Sequence, residues 1–135
     1  MPLEKMRFFQ PARIGAVLGF LGVLAGAFGA HALKDDLTVR GSVSAWETAV
    51  LFHLLHAIAL CALGWAGGTV RPSGRFHLVA AAWTVGILLF SGSLYLLAMG
   101  GPRLLGPITP IGGLFLLTGW ALAASLSPSD HPGKE

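Results

Sequence analysis

The sequence predicts an all-α integral membrane protein, a bundle of four transmembrane helices. Of its 135 residues 54% are hydrophobic and only 11% are charged, whereas soluble proteins carry about 25% charged residues. The apolar residues are gathered into four runs, each about as long as an α-helix must be to cross ~30 Å of hydrocarbon. The predicted spans are residues 14–33, 46–66, 76–99 and 109–126.

The first span is distinguished by its glycines. At ~100° per residue, their spacing of alternately four and three residues keeps them on one narrow stripe. In water each glycine would cost ~1 kcal/mol relative to alanine, whereas in a membrane a face without side chains lets another helix approach closely. We therefore expect this stripe to pack against a neighbouring helix. The helix-packing glycines are Gly15, Gly19, Gly22, Gly26 and Gly29.

Residues 1–13 precede this span and form a basic lead, which we expect at the membrane interface. A cleaved signal peptide is the competing interpretation, because a basic start, an apolar run and the triplet Ala30-His31-Ala32 follow one another. The apolar run exceeds the ~7–15 residues of a signal-peptide core, and further spans follow. A retained span is therefore favoured.

The second and third spans begin after polar connections. Ser44 and Glu47 have the spacing of a capping box at the start of the second span. Trp46 and Trp65 lie at the two ends of this span, as is typical of tryptophans at the two membrane interfaces. The basic turn of residues 67–75 leads into the third span.

The fourth span is predicted to start at Thr109-Pro110, with threonine as the N-cap and proline at the first helical position. It is the shortest of the four. Residues 127–135 are polar with two prolines, and we expect them to be disordered.

The distribution of lysine and arginine predicts the orientation. Six lie in the lead, the 67–75 turn and the tail, against three in the other two connections. By the positive-inside rule both termini are expected in the cytoplasm, with the protein in the cell membrane, which in a bacterium is the inner membrane. The cations are too scattered for nucleic-acid binding. The expected partners are the lipid bilayer, and other membrane proteins or a second copy of the chain.

Polar side chains within the spans are the candidate functional residues, because polar groups are costly in a membrane. At ~1.5 Å per residue they gather in the half of the bundle away from the cytoplasm. We expect His31 to hydrogen-bond to the third helix or to the Thr109 turn, with Tyr95 as its neighbour, and His56 to point inward as a neutral imidazole. The candidate polar cluster comprises His31, His53, His56, Ser91, Ser93, Tyr95 and Thr109.

Three interpretations of this cluster remain open. The side chains hydrogen-bond between helices as structural contacts, they relay protons or a small solute, or they hold a metal or haem. His53 and His56 supply only two ligands without a carboxylate at helical spacing, and His31 and His56 differ by ~10 Å in depth, which does not suit a bis-histidine haem. No serine, histidine and carboxylate form a recognisable triad. We therefore predict no metal site, no cofactor and no enzymatic activity.

Four strings in order resemble the domain-of-unknown-function 423 family, also called the transmembrane protein 256 family. The strings are GAFGAHAL at 26–33, WETAV at 46–50 running into HAIAL at 56–60, FSGSLY at 90–95, and ITPIGG at 108–113 leading to Gly119-Trp120. The resemblance covers about residues 14–126. It implies a small multi-pass membrane protein, in bacteria of the inner membrane, with no assigned activity and no catalytic residues. His31, His56, Tyr95 and the Thr109-Pro110 turn recur in that family's pattern, whereas His53 does not.

Two functions follow from these observations. The first is a non-enzymatic structural or accessory membrane protein, because no group of residues is arranged for reaction chemistry. The alternative is a small, oligomeric transporter or proton-conducting protein that uses the polar cluster, since a single bundle of this size has little room for an enclosed aqueous path.

Overall fold

The computed structural model describes residues 3–67 and 74–126, with side chains described from residue 10 onward. Its helices are α1 (Leu3–Ala30), the short α2 (Lys34–Val39), α3 (Val43–Ala66), α4 (Gly74–Ala98) and α5 (Ile108–Ala124), with a 3-10 turn at Arg103–Leu105 before α5. Four of them, α1, α3, α4 and α5, are long and apolar enough to cross a membrane. The prediction of a four-helix membrane bundle is thereby confirmed. Most of the predicted basic turn (68–73) and the predicted tail (127–135) lie outside the described residues.

All four membrane-spanning helices begin before the predicted spans, at residues 3, 43, 74 and 108. α1 begins at Leu3, so residues 3–13 of the basic lead are helical and continue into the first span without a break. The predicted capping box at Ser44 and Glu47 and the predicted N-cap at Thr109 are wrong, because other residues precede the two helices. The N-caps are Ser42 for α3 and Pro107 for α5, and neither makes a side-chain cap hydrogen bond. Gly41, at φ 64°, turns the chain out of α2 in a conformation that favours glycine. The Ser42 hydroxyl donates instead to the Ala98 carbonyl at 2.8 Å and joins the two helix ends.

The long helices run antiparallel in the order α1, α3, α4, α5. Gly15 of α1 lies against Cys61 near the end of α3, and Gly29 lies against Trp46 near its start. The pairs between α3 and α4, and between α4 and α5, run in the same antiparallel sense. We call the end that carries residues 31–42 and 99–107 the loop end. The central pair α3 and α4 is more buried than α1 and α5 on either side.

The glycine stripe of α1 lies against α3, but its members are not equivalent. A Cβ at Gly15 would stand 2.6 Å from the Ala57 carbonyl oxygen, and one at Gly22 would stand 2.7 Å from Leu54 Cδ2. A Cβ at Gly19 would have no neighbour closer than 4.0 Å. The close approach therefore repeats every seven residues, at Gly15, Gly22 and Gly29, with looser contacts between.

The α4 and α5 pair is built in the same way. A Cβ at Gly112 would collide with the backbone of Phe90, and one at Gly119 would collide with the indole of Trp83. Between the two pairs lies an apolar core around Phe76, Leu60 and other buried side chains of α3 and α4. Because lipid is as apolar as these side chains, the bundle is stabilised by close packing and interhelical hydrogen bonds rather than by burial from water.

Candidate functional site

His56 connects the second and fourth spans at mid-depth. Its Nε2 accepts a hydrogen bond at 3.0 Å from the indole Nε1–H of Trp120 on α5, and its Nδ1 lies 2.8 Å from the Phe52 carbonyl. An indole nitrogen can only donate and a carbonyl can only accept. The ring proton of His56 is therefore on Nδ1, and both nitrogens are used by a neutral imidazole, as the sequence argument expects.

Aromatic rings surround this imidazole. The rings of Trp83 and Trp120 have centroids 6.3 Å and 6.0 Å from that of His56 and lie edge-on to it. The two indoles are 4.9 Å apart. Trp120 comes from an exposed position on α5, so its ring covers the histidine from the outside of the bundle.

His53 lies one turn nearer the loop end and contacts α4. Its Nδ1 is 3.2 Å from the hydroxyl oxygen of Tyr95. The Tyr95 ring also packs on Trp46, with centroids 4.7 Å apart, and the Trp46 Nε1–H donates to the Ala25 carbonyl of α1 at 3.0 Å. These contacts link α1, α3 and α4 at one level of the bundle.

Ser93 and Thr109 form the polar contact between α4 and α5. Their hydroxyl oxygens are 2.7 Å apart, and the Ser93 hydroxyl also lies 3.0 Å from the Phe90 carbonyl. Thr109 is one residue inside α5. Its hydroxyl therefore bonds to another helix instead of capping its own.

His31 does not join this cluster. Its side chain is exposed at the loop end, and the partner expected for it, Tyr95, is bonded to His53. The other expected partner, Thr109, is bonded to Ser93. The helical rise put His31 and Tyr95 at a similar depth, but the expected pairing is wrong because His31 lies past the last turn of α1, beyond the face that packs on α3.

Three buried polar atoms make no hydrogen bond within the described part of the chain: His53 Nε2, Ser91 Oγ and Trp83 Nε1. The Tyr95 hydroxyl can donate to His53 Nδ1, which leaves the ring proton on Nε2. The neighbouring ring carbon Cδ2 lies beside Gly22 of α1. Trp83 Nε1 points at Gly119, where only glycine leaves room for the indole. Unlike His56, these groups therefore have hydrogen-bonding capacity left over.

Metal-ligating side chains do not gather in the part of the chain that the structure describes. Among the described residues no three histidine, cysteine or carboxylate groups come together. The Nε2 of His56, the nitrogen that a metal would take, is already bonded to Trp120. The spacing of residues did not predict that Trp46 and Trp120 donate hydrogen bonds to other helices, although indole N–H groups seek acceptors when buried.

The chain is similar in sequence to a known protein family and to several membrane proteins. A family model described as a protein of unknown function (DUF423) matches residues 25–113. The chain is 39% identical over 109 residues to a UPF0382 membrane protein of Staphylococcus saprophyticus, covering 81% of this chain and 88% of that protein. It is 36% identical to the UPF0382 membrane protein YwdK of Bacillus subtilis, covering 81% and 88%. It is also 36% identical to a UPF0382 membrane protein of Schizosaccharomyces pombe, covering 80% and 92%.

No solved structure matches the chain. The resemblance drawn from the four strings is confirmed by the family model and by these relatives. The relatives' names describe membrane proteins and give no activity.

Proposed function

The chain belongs to the DUF423 family of membrane proteins, and we propose from this premise that it is a non-enzymatic structural or accessory protein of the membrane. It would act by contact with other membrane proteins or with a second copy of itself. The proposal also places it in the cell membrane, in a bacterium the inner membrane. Both termini face the cytoplasm, as the bias of lysine and arginine favours.

The observation that carries the proposal is the use of the polar side chains between helices. His56 joins α3 to α5, His53 joins α3 to α4, and Trp46 joins α3 to α1. Hydrogen bonds between helices are a structural use of polar side chains in a membrane protein. The polar cluster therefore supports a bundle of fixed shape.

The outer helices supply the surface for contact. α1 exposes Val17, Phe20 and Val23, and α5 exposes Leu114 and Leu117, each at more than 60%. These exposed faces would contact lipid if the bundle is alone, and a neighbouring protein if the bundle is part of a complex. The peripheral helices α1 and α5 are therefore the surfaces on which we expect a partner.

Proton conduction is the second candidate, and one observation favours it. His53 Nε2 and Ser91 Oγ are buried without a hydrogen-bond partner in the described part of the chain. Water that reached them from the loop end would extend the Tyr95–His53 contact toward mid-depth. Histidine can relay protons near neutral pH.

A single preparation tests both functions. The protein is reconstituted into proteoliposomes carrying a pH gradient and a pH-sensitive dye, next to empty vesicles and to the His53→Gln variant. The structural function predicts the same slow decay in all three. Proton conduction would be favoured over the structural function by two results together. The wild-type protein would show proton flux above that of empty vesicles, and His53→Gln would lose this flux while keeping the wild-type unfolding midpoint.

The partner is sought separately by cross-linking in native membranes. Photoreactive residues are introduced at Phe20 of α1 and Leu117 of α5, with Leu88 of α4 as an exposed control on a central helix. Discrete cross-linked products at either outer helix, absent at Leu88, support the accessory function. Cross-links to lipid alone at both outer positions would contradict it.

A further inference from the structure

We propose that the cleft between α1 and α3 at the loop end binds one phospholipid whose headgroup carries a primary amine, with Glu47 receiving the ammonium group. The cleft has a volume of about 360 Å³, within the range of ~300–1,000 Å³ typical of small-molecule sites. Most of its lining comes from α1 and α3, two helices long and apolar enough to cross a membrane, so we take the bilayer as the source of its ligand. Its lining includes Gly26, Gly29, Leu37, Trp46, Glu47 and Leu54.

Glycines of α1 line the cleft, and a fixed tryptophan of α3 packs against one of them. At Gly26 a Cβ would stand 3.4 Å from Val50 Cγ1, so α1 and α3 lie close together along this side of the cleft. A Cβ at Gly29 would collide with the Trp46 indole. That indole is held by its hydrogen bond to the Ala25 carbonyl at 3.0 Å and by its contact with the Tyr95 ring, whose centroid is 4.7 Å away. The cleft is therefore part of the folded bundle and not a gap that a rotating side chain would fill.

The short helix α2 closes the cleft toward the loop end. Leu37 is 2% exposed and packs with Trp46 in a small apolar cluster. Lys34 lies one turn before Leu37 on α2 and is exposed. Residues three apart on a helix are neighbours on one face, which puts a cation on the same side of α2 as the cleft.

Charge selects the kind of lipid. Glu47 is the one charged residue in the lining, and within the described part of the chain its carboxylate has no ion-pair or hydrogen-bond partner. It lies four residues into α3, ~6 Å along the helix, near the depth at which headgroups begin. The apolar lining of the cleft suits a lipid acyl chain, and the Glu47 carboxylate suits an ammonium group at the level of the headgroup. Lys34 on α2 suits the phosphate of the same zwitterionic headgroup.

The test measures bound lipid by native mass spectrometry of the full chain released from nanodiscs of equal phosphatidylethanolamine and phosphatidylglycerol. The two lipids share the phosphate and the acyl chains and differ in the amine. The wild-type chain should retain one phosphatidylethanolamine in preference. Glu47→Gln should lower that preference about two- to fivefold, the size expected of an exposed ion pair, whereas Asp35→Asn, at an exposed carboxylate outside the cleft, should leave it unchanged.

A second pair of variants tests the cleft itself. Ala30→Phe places a ring at a lining residue and should reduce retention of either lipid, whereas Ala27→Phe places the same ring on an exposed part of α1 outside the lining and should not. The thermal unfolding midpoint of each variant, compared with that of the wild-type chain, tests whether the bundle is intact. Equal retention of the two lipids by the wild-type chain, or unchanged retention in Ala30→Phe, would overturn the proposal. Neither result depends on the function proposed above.

Discussion

Replacing Gly15 with alanine should destabilise the bundle, whereas the same replacement four residues later at Gly19 should not. Both glycines lie on the stripe that faces α3, and both have Ala57 as a neighbour. The added methyl at position 15 would stand 2.6 Å from the Ala57 carbonyl oxygen and 2.7 Å from the Cys61 backbone nitrogen. At position 19 its nearest neighbour is the Ala57 Cβ at 4.0 Å, which is ordinary contact.

The size of the effect follows from what the methyl meets. Backbone atoms cannot rotate away, so α1 must move by about 0.8 Å for the 2.6 Å contact to reach 3.4 Å. Overpacking of this kind costs ~1–3 kcal/mol. Alanine also gains ~1 kcal/mol of helix propensity over glycine, but that gain is common to the two variants. We therefore expect Gly15→Ala to be ~1–3 kcal/mol less stable than Gly19→Ala.

The comparison is made by unfolding both variants in mixed micelles with increasing dodecyl sulfate, followed by tryptophan fluorescence and circular dichroism. The wild-type protein is unfolded beside them. Since the chemical change is identical, the difference in free energy of unfolding between the two variants reports only on the α1–α3 contact. Equal unfolding midpoints for Gly15→Ala and Gly19→Ala would refute the close approach of the two backbones at Gly15.

Two further predictions concern the histidines. A double-mutant cycle of His56→Ala and Trp120→Phe should give a coupling free energy of ~0.6–1.7 kcal/mol, the range of interhelical hydrogen bonds in membranes; additive effects on unfolding would show that the two side chains do not bond. His31→Ala should leave the unfolding midpoint within experimental error of wild type, because the imidazole is exposed at the loop end; a loss as large as that of His56→Ala would restore the pairing expected from sequence.

The four-helix bundle could be predicted because the number of spans follows from the number and length of the apolar runs. Four apolar runs of sufficient length fix four spans, and their number and short connections fix an antiparallel order. The glycine spacing also fixes which face of α1 is bare. It does not distinguish Gly15 from Gly19, because that difference depends on where the carbonyl of Ala57 lies on another helix.

The polar pairs were harder to predict than the helices. Helical rise gives the depth of His31, His53 and Tyr95 but not their rotation about each helix axis, and rotation decides that His53 and not His31 meets Tyr95. The partner of His56 was missed for another reason. Trp120 belongs to one of the strings that resemble the family, and nothing in the spacing of a single tryptophan shows that its N–H reaches across to α3.

The hydrogen bond between Trp120 and His56 has a consequence for how the chain is made. During synthesis α1 and α3 enter the membrane first, and their glycine contacts need no later segment. The Nε2 of His56 has no hydrogen-bond donor until Trp120, 64 residues further along the chain, has been synthesised and inserted. Until the last helix arrives, one acceptor in the middle of the nascent bundle stays unpaired in lipid. A chain truncated before α5 therefore keeps an unpaired polar group at mid-membrane, and the docking of the final helix supplies its hydrogen-bond donor.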